Sequence, residues 1–296
     1  MELRQLRYVV ALAEERSFTR AASKVLVAQP ALSQQIAKLE AELGVPLVDR
    51  TTRRVGMTEA GERLVEHARR VLKEVDVAQE ELADLAGVRS GRLTIGASQT
   101  VGGFDLLGLL ATFHGRYPDV DLALREDLSL SLAAQLRADE LDLAFITIPA
   151  GPATEGLDRR VVSSEEMVAV LPPDHALSRR RKLRVTDLEA QTVVSFRHGA
   201  TIRRRLDEAA ARAGFELRVA FETNEVVRMR ALAAAGLAIA ILPRTDAEQP
   251  GPPVAAVPFD EPGFRHTVYM CARAGRHHSP AARALIDLTP AAPPED

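Results

Sequence analysis

Between Thr58 and Gly87, apolar residues recur at Leu64, Ala68, Val71, Val75, Ala78, Leu82 and Leu85, at spacings of 4, 3, 4, 3, 4 and 3. This is a heptad seam: one long helix whose narrow apolar edge faces another helix, with Glu, Arg and Lys on the other sides. Thr58 is placed to cap its start and Gly87 to stop it. An amphipathic helix lying on its own domain is the plainer alternative, but the seam is narrow and predicts pairing with a second copy of the chain. The helix also divides the sequence. Short helical repeats precede it, and strands alternating with helices follow it.

Ahead of the seam, Leu6, Val9, Val10 and Ala13 form one stripe, and Phe18, Ala21, Ala22, Val25 and Leu26 a second. Leu32, Ile36, Leu39 and Leu43 form a third, so three short helices are expected to pack as a trihelical unit. The run "VPLVDRTTRRVGMT" then reads as a two-stranded wing with Arg53 and Arg54 near its tip. A helix from about Thr19 to Val25, a turn "LVA" and a helix opening on Pro30 have the layout of a helix-turn-helix. The outer face of the third helix carries Pro30, Ser33, Gln34, Ala37, Lys38 and Ala41. Such small residues let a backbone sit deep in a major groove, where Gln pairs with an adenine edge, Ser serves base or phosphate, and Lys neutralises phosphate. The alternative is that Ala and Ser merely cover an exposed helix. Charge favours the groove: residues 1–57 carry nine Lys and Arg against six Asp and Glu, whereas the remainder carries 29 against 35.

The run "SFTRAASKVLVAQPALSQQIAKLEAELGVPLVDRTTRRVGMTEAG" resembles the N-terminal signature of LysR-type transcriptional regulators. The resemblance implies three parts: a winged helix-turn-helix DNA-binding domain at 1–58, a linker and dimerisation helix at 59–87, and an effector-binding regulatory domain at 88–296. It implies base reading by Gln29, Pro30, Ser33 and Gln34, and phosphate contact by Thr19 and Arg20. It also implies a wing in which Arg50, Arg53 and Arg54 touch phosphates or the adjacent minor groove. Arg50 could instead brace the wing through a salt bridge. Val48 departs from the aromatic residue common in the family, and Gln34 from a frequent Arg, which shifts the expected half-site base.

Beyond the seam, "RLTIGAS", "VDLALRED", "LDLAFIT", "TVVSF", "LRVAF" and "LAIAILP" read as strands. Helices are expected over Val101–Gly115, Ser129–Ala138, Thr201–Ala213 and Glu225–Ala235. Near-continuous apolar strands alternating with helices predict α/β sheets covered on both faces. Two strand-like runs adjoin around "LDRRVVSSEEMVAVLP", and the spacing suggests two lobes, lobe I at about 91–161 and 267–289 and lobe II at about 162–266. The tail "TPAAPPED" is expected to be disordered. Paired lobes with two crossovers resemble a periplasmic binding-protein fold, whose cleft is the default small-molecule site. Ser98, Gln99, Thr100, Leu128, Ser129, Thr147, Phe196, Arg197 and Thr201 fall at strand ends and helix starts that face such a cleft. Hydroxyls, helix N-termini and Arg197 suit a small organic anion, although Ser129 would serve as a helix cap in any case.

One cysteine allows no internal disulfide, and Cys271 sits in the strand-like "TVYMCAR", where it is expected to be buried. No apolar run approaches ~20 residues, and no basic segment leads into an apolar one near Met1, so a cytoplasmic protein without a membrane role is expected. "GASQTVGG" lacks the Gly-Lys-Ser/Thr ending of a phosphate loop, and His277-His278 reads as a solvated tail before a metal site. No Ser/His/Asp, Cys/His or paired-carboxylate constellation stands out, so no enzymatic activity, metal or cofactor is expected. The expected partners are double-stranded promoter DNA, a small effector, further copies of the chain as dimer or tetramer, and RNA polymerase. The competing reading is a cytoplasmic solute-binding or enzymatic α/β protein without a DNA role.

Overall fold

The computed structural model describes residues 1–49, 55–85, 91–148, 151–261 and 264–292. They form two compact units, one made mainly of residues 1–88 and the other mainly of residues 89–296.

The first unit begins with α1 (Leu3–Glu15), α2 (Phe18–Lys24) and α3 (Gln29–Leu43). Gln5 accepts from the Glu2 backbone N–H at 2.8 Å to start α1, and Ser17 caps α2 by accepting from the Arg20 backbone N–H. Pro30 occupies the first turn of α3, and Gly44 ends that helix at φ +71°. Leu12, Ala21, Leu32, Ile36 and Leu39 are fully buried, so all three stripes point into one core. Strand β1 (Val48–Asp49) pairs antiparallel with β2 (Gly56–Met57), forming the base of the expected wing. Its tip, with Arg50, Arg53 and Arg54, lies outside the described residues, as does Gly87.

Helix α4 (Glu59–Leu85) follows, its first turn capped by Thr58, whose hydroxyl accepts from the Gly61 backbone N–H at 3.0 Å. A Cβ on Gly61 would fall 2.1 Å from the Leu47 carbonyl oxygen, so only glycine permits this close approach to the wing base. Val65 and Ala68 are buried in the first unit, whereas Val71 and Leu82 on the seam are 44% and 68% exposed.

The second unit is built on one nine-stranded sheet. Its first half holds β3 (Gly91–Ala97) between β4 (Val120–Glu126) and β5 (Leu143–Ile146), all parallel. Helices α5 (Leu106–Arg116), α6 (Ser129–Arg137) and α10 (Pro280–Leu288) accompany it. The other half holds β7 (Thr192–Ser195) between β8 (Arg218–Glu222) and β9 (Ile239–Pro243), again parallel, with α7 (Thr201–Arg212), α8 (Val226–Ala234) and α9 (Arg244–Ala247). Each lobe has its own apolar core. The two strand-like runs around Val161 are one 15-residue strand, β6 (Leu157–Leu171). Its residues up to Glu166 pair antiparallel with β11 (Arg265–Arg273), and Met167–Val170 pair with β9, so the chain changes lobe inside a strand. A short strand, β10 (Ala255–Pro258), also pairs with β6.

Two expectations need correction. Helix α5 starts at Leu106 and not at Val101, because Gly102 turns at φ +56° and Asp105 caps the helix by accepting from the Gly108 N–H at 2.8 Å. Residues 289–292 of the expected disordered tail are ordered: Thr289 is buried and donates its hydroxyl to the Leu285 carbonyl, and the Ala292 N–H reaches the Val161 carbonyl, while residues 293–296 lie outside the described residues. The tail's Pro- and Ala-rich composition concealed a backbone pairing that only the neighbouring strand supplies.

Candidate functional site

Within the helical unit, the apolar edge of α3 is buried and the opposite face stays open. Gln29, Pro30, Gln34 and Lys38 are exposed and Ser33 is half-buried. Thr19 and Arg20 are exposed on α2. The Arg20 guanidinium rests across the end of α1 on the Glu15 carbonyl and carboxylate, with its side chain 67% exposed. Lys24 is tied to Glu14 at 2.8 Å and to Glu15 at 3.2 Å, and the Glu14 hydrogen bond raises its pKa. The cations of α2 are thus steadied by carboxylates on α1, while Lys38 stands on the small-residue face itself.

In the α/β unit, a cavity of about 30 Å³ opens between the two lobes. Ser98, Gln99 and Thr100 reach it from the end of β3, Leu128 and Ser129 from the start of α6, and Thr147 from the end of β5. Phe196 and Thr201 reach it from the other lobe, with Asp127, Ala200 and Ile202 completing the lining. The hydroxyl-bearing Thr100, Ser129, Thr147 and Thr201 are all buried. Arg197 does not line the cavity. It is exposed, with its backbone N–H donating to Asn224 Oδ1 at 3.0 Å. Phe196 turns inward, and side-chain alternation past the end of β7 sends the next residue the other way.

The two helix starts differ in charge. Asp127 accepts from Ser131 Oγ at 2.5 Å, from the Leu128 N–H at 2.7 Å and from Gln135 Nε2 at 3.0 Å. These bonds, that of Ser131 foremost, hold its carboxyl below the usual range, so an anion already sits at the start of α6. Helix α7 has Ala200 at its N-cap, no side-chain cap and no acidic residue in its first turn. Arg203, 7% exposed, anchors this helix through Asp207 at 2.9 Å, Glu222 at 2.7 Å and the Phe196 carbonyl at 3.3 Å. The start of α7 is therefore electropositive and open to the cavity. Thr147 and Thr201 also border a groove of about 510 Å³ that carries Arg204 and Arg205.

One buried and one half-buried group stand behind the cavity. His266 is 1% exposed, with Nε2 3.2 Å from the Thr100 carbonyl and 3.4 Å from Thr147 Oγ1. Burial pushes its pKa down to about 4, against an opposing pull from Glu165. Glu165 accepts from the Gly103 N–H at 2.7 Å in one lobe, and from the Thr245 N–H at 2.8 Å and hydroxyl at 2.7 Å in the other. Asp127 was legible as an N-terminal signal ahead of "LSLSL". His266 and Glu165 carry no local signal, because their partners lie in distant segments.

Residues 3–62 match the family described as bacterial regulatory helix-turn-helix protein, lysR family, and residues 86–292 match the LysR substrate binding domain. The chain is 34% identical to a hydrogen peroxide-inducible genes activator of Pectobacterium carotovorum subsp. carotovorum, over 93% of this chain and 91% of that protein. It is likewise 34% identical to the DNA-binding transcriptional dual regulator OxyR of Escherichia coli (strain K12), over 93% of this chain and 90% of the relative. A full-length OxyR variant from Pseudomonas aeruginosa shares its fold with a TM-score of 0.75 at 28% identity, covering 98% of this chain and 93% of that one. A helical head with an open small-residue face and a two-lobed domain with a polar cavity are thus found together in regulators of transcription. The chain belongs to the LysR family of DNA-binding transcriptional regulators with an effector-binding domain.

Proposed function

We propose that this regulator responds to a small anion bound between its lobes, with the anion at the start of α7. The observation that carries the reading is the uncapped, electropositive N-terminus of α7, opening among the hydroxyls of Thr100, Ser129, Thr147 and Thr201. Arg197 has no part in it. A cavity of about 30 Å³ admits an acidic head group, and the adjoining groove of about 510 Å³ offers room for a larger body. Resemblance to peroxide-inducible activators brings no thiol chemistry with it. The single cysteine, Cys271, is buried and its thiol is pushed up to about 12 by desolvation.

On the DNA side, Gln29, Pro30, Ser33 and Gln34 read bases, Thr19, Arg20 and Lys38 meet phosphates, and Arg50, Arg53 and Arg54 extend the contact through the wing. The exposed Val71 and Leu82 support pairing of α4 with a second copy. The working unit is a homodimer that assembles further into a tetramer. Binding of the anion shifts the population of lobe arrangements, alters the spacing of paired DNA-binding heads and thereby governs access of RNA polymerase.

The test is a footprint of the full-length protein on a chromosomal site found by genome-wide mapping. Gln34→Glu is expected to weaken protection about a hundredfold or more, because a base-pairing amide becomes a repelled carboxylate. An anion that binds the wild-type protein is expected to change the protected length. Unaltered protection in both experiments refutes the reading.

A further inference from the structure

We propose that His266 sets the hydrogen-bond polarity of the effector cavity, holding Thr147 as an acceptor so that the Thr147 hydroxyl hydrogen is presented to the ligand. The inference rests on the anion reading above and names the residue that makes the site selective for acceptor groups.

A backbone carbonyl can only accept, so the His266 Nε2 that lies 3.2 Å from the Thr100 oxygen must carry a hydrogen. That nitrogen then has no lone pair to offer. Thr147 Oγ1, 3.4 Å away, can only receive from it, on the longer arm of a shared hydrogen bond. Among the described residues no acceptor is bonded to the Thr147 hydroxyl hydrogen, and Thr147 borders the cavity. Its hydrogen is thus directed at whatever occupies the site. Ser98 provides the contrast, because its hydroxyl is already engaged with the Thr100 and Phe145 carbonyls.

The other ring nitrogen agrees with this assignment. His266 Nδ1 is buried and has no hydrogen-bond partner among the described residues. A bare acceptor there costs less than an orphaned N–H carrying a charge, and desolvation keeps the ring neutral. The same ring also fixes the Thr100 carbonyl, so one buried side chain from β11 orients two groups that follow β3 and β5.

Two measurements on the full-length protein test this. In the first, histidine ring nitrogens are followed by NMR after ¹⁵N labelling, with His266 assigned by its loss in the His266→Gln variant. The expected result at neutral pH is a hydrogen on Nε2 alone; a hydrogen on Nδ1 overturns the proposal. In the second, inorganic sulfate is titrated into the wild-type, His266→Leu and His266→Gln proteins by calorimetry. Leu removes the donor that holds Thr147 as an acceptor, so its hydroxyl is no longer oriented toward the ligand and affinity is expected to fall tenfold or more. Gln replaces the Nε2 donor and is expected to stay within threefold of wild type. Equal sulfate affinity in the folded Leu and wild-type proteins overturns the proposal, and so does a folded Gln variant as weak as Leu. If wild type binds no sulfate, the anion reading and the selectivity claim both fall. The NMR result then decides the hydrogen-bond assignment alone.

Discussion

Glu165 offers a measure of how firmly the lobes are held, and its removal can be followed at single amides. Its carboxylate takes three hydrogen bonds, at 2.7, 2.8 and 2.7 Å, from Gly103 in one lobe and Thr245 in the other. The lobes are in near contact here: a Cβ on Gly103 would lie 3.2 Å from Thr245 Oγ1. Hydrogen bonds to a carboxylate contribute about 1.5–3 kcal/mol each when dry, and about 1 kcal/mol each at a half-exposed site such as this. Glu165→Ala therefore costs about 2–3 kcal/mol of local closure, which raises the open population about 30- to 150-fold. Hydrogen–deuterium exchange read by mass spectrometry on peptides spanning residues 100–106 and 243–248 should show faster exchange of that order. Glu165→Gln keeps one accepting oxygen and loses the other, so one peptide should accelerate far more than its counterpart. Exchange within twofold of wild type in both peptides of the Ala variant would refute this account of the clasp.

The remaining predictions concern pH and the lone thiol. Burial, aided by the charge of Glu165, pushes the Asp246 pKa from 3.8 up to about 6, so its contribution to stability is full below pH 3.8 and is lost as pH rises through about 6. The His266 pKa, lowered from 6.5 to about 4, contributes in the opposite sense: full above 6.5 and lost as pH falls through about 4. Between these limits the two slopes offset each other. Asp246→Asn should uncover a loss of stability on acidification of up to ~1.4 kcal/mol per pH unit, seen as a falling Tm; a profile as flat as wild type would contradict it. Cys271, fully buried in β11, should resist a thiol reagent at pH 8 until the protein is unfolded, and peroxide should leave operator binding unchanged. Rapid labelling of the native protein would count against this.

The α3 face was readable from the chain because a helix displays its residues at fixed angles, so Leu32, Ile36 and Leu39 inward place Pro30, Gln34 and Lys38 outward before any coordinates exist. The same local rules found the cap at Thr58, the strand cores and most of the cleft residues, because strand ends and helix starts are sequence signals and the cleft is where they gather. Arg197 shows the limit. One position beyond Phe196, a half-turn of backbone sends its side chain to solvent, and no composition rule measures that angle.

The clasp and the buried ring lie entirely on the tertiary side. Glu165 meets Gly103 and Thr245 across 62 and 80 residues, and His266 meets Thr100 across 166. Hydrogen bonds reach only about 3 Å, so such partners exist only once the pairing of β6 and β11 has brought these distant segments together. Local periodicity settled which elements form and what each exposes. Packing decided which polar atoms share the dry space between them, and with it the polarity of the cavity.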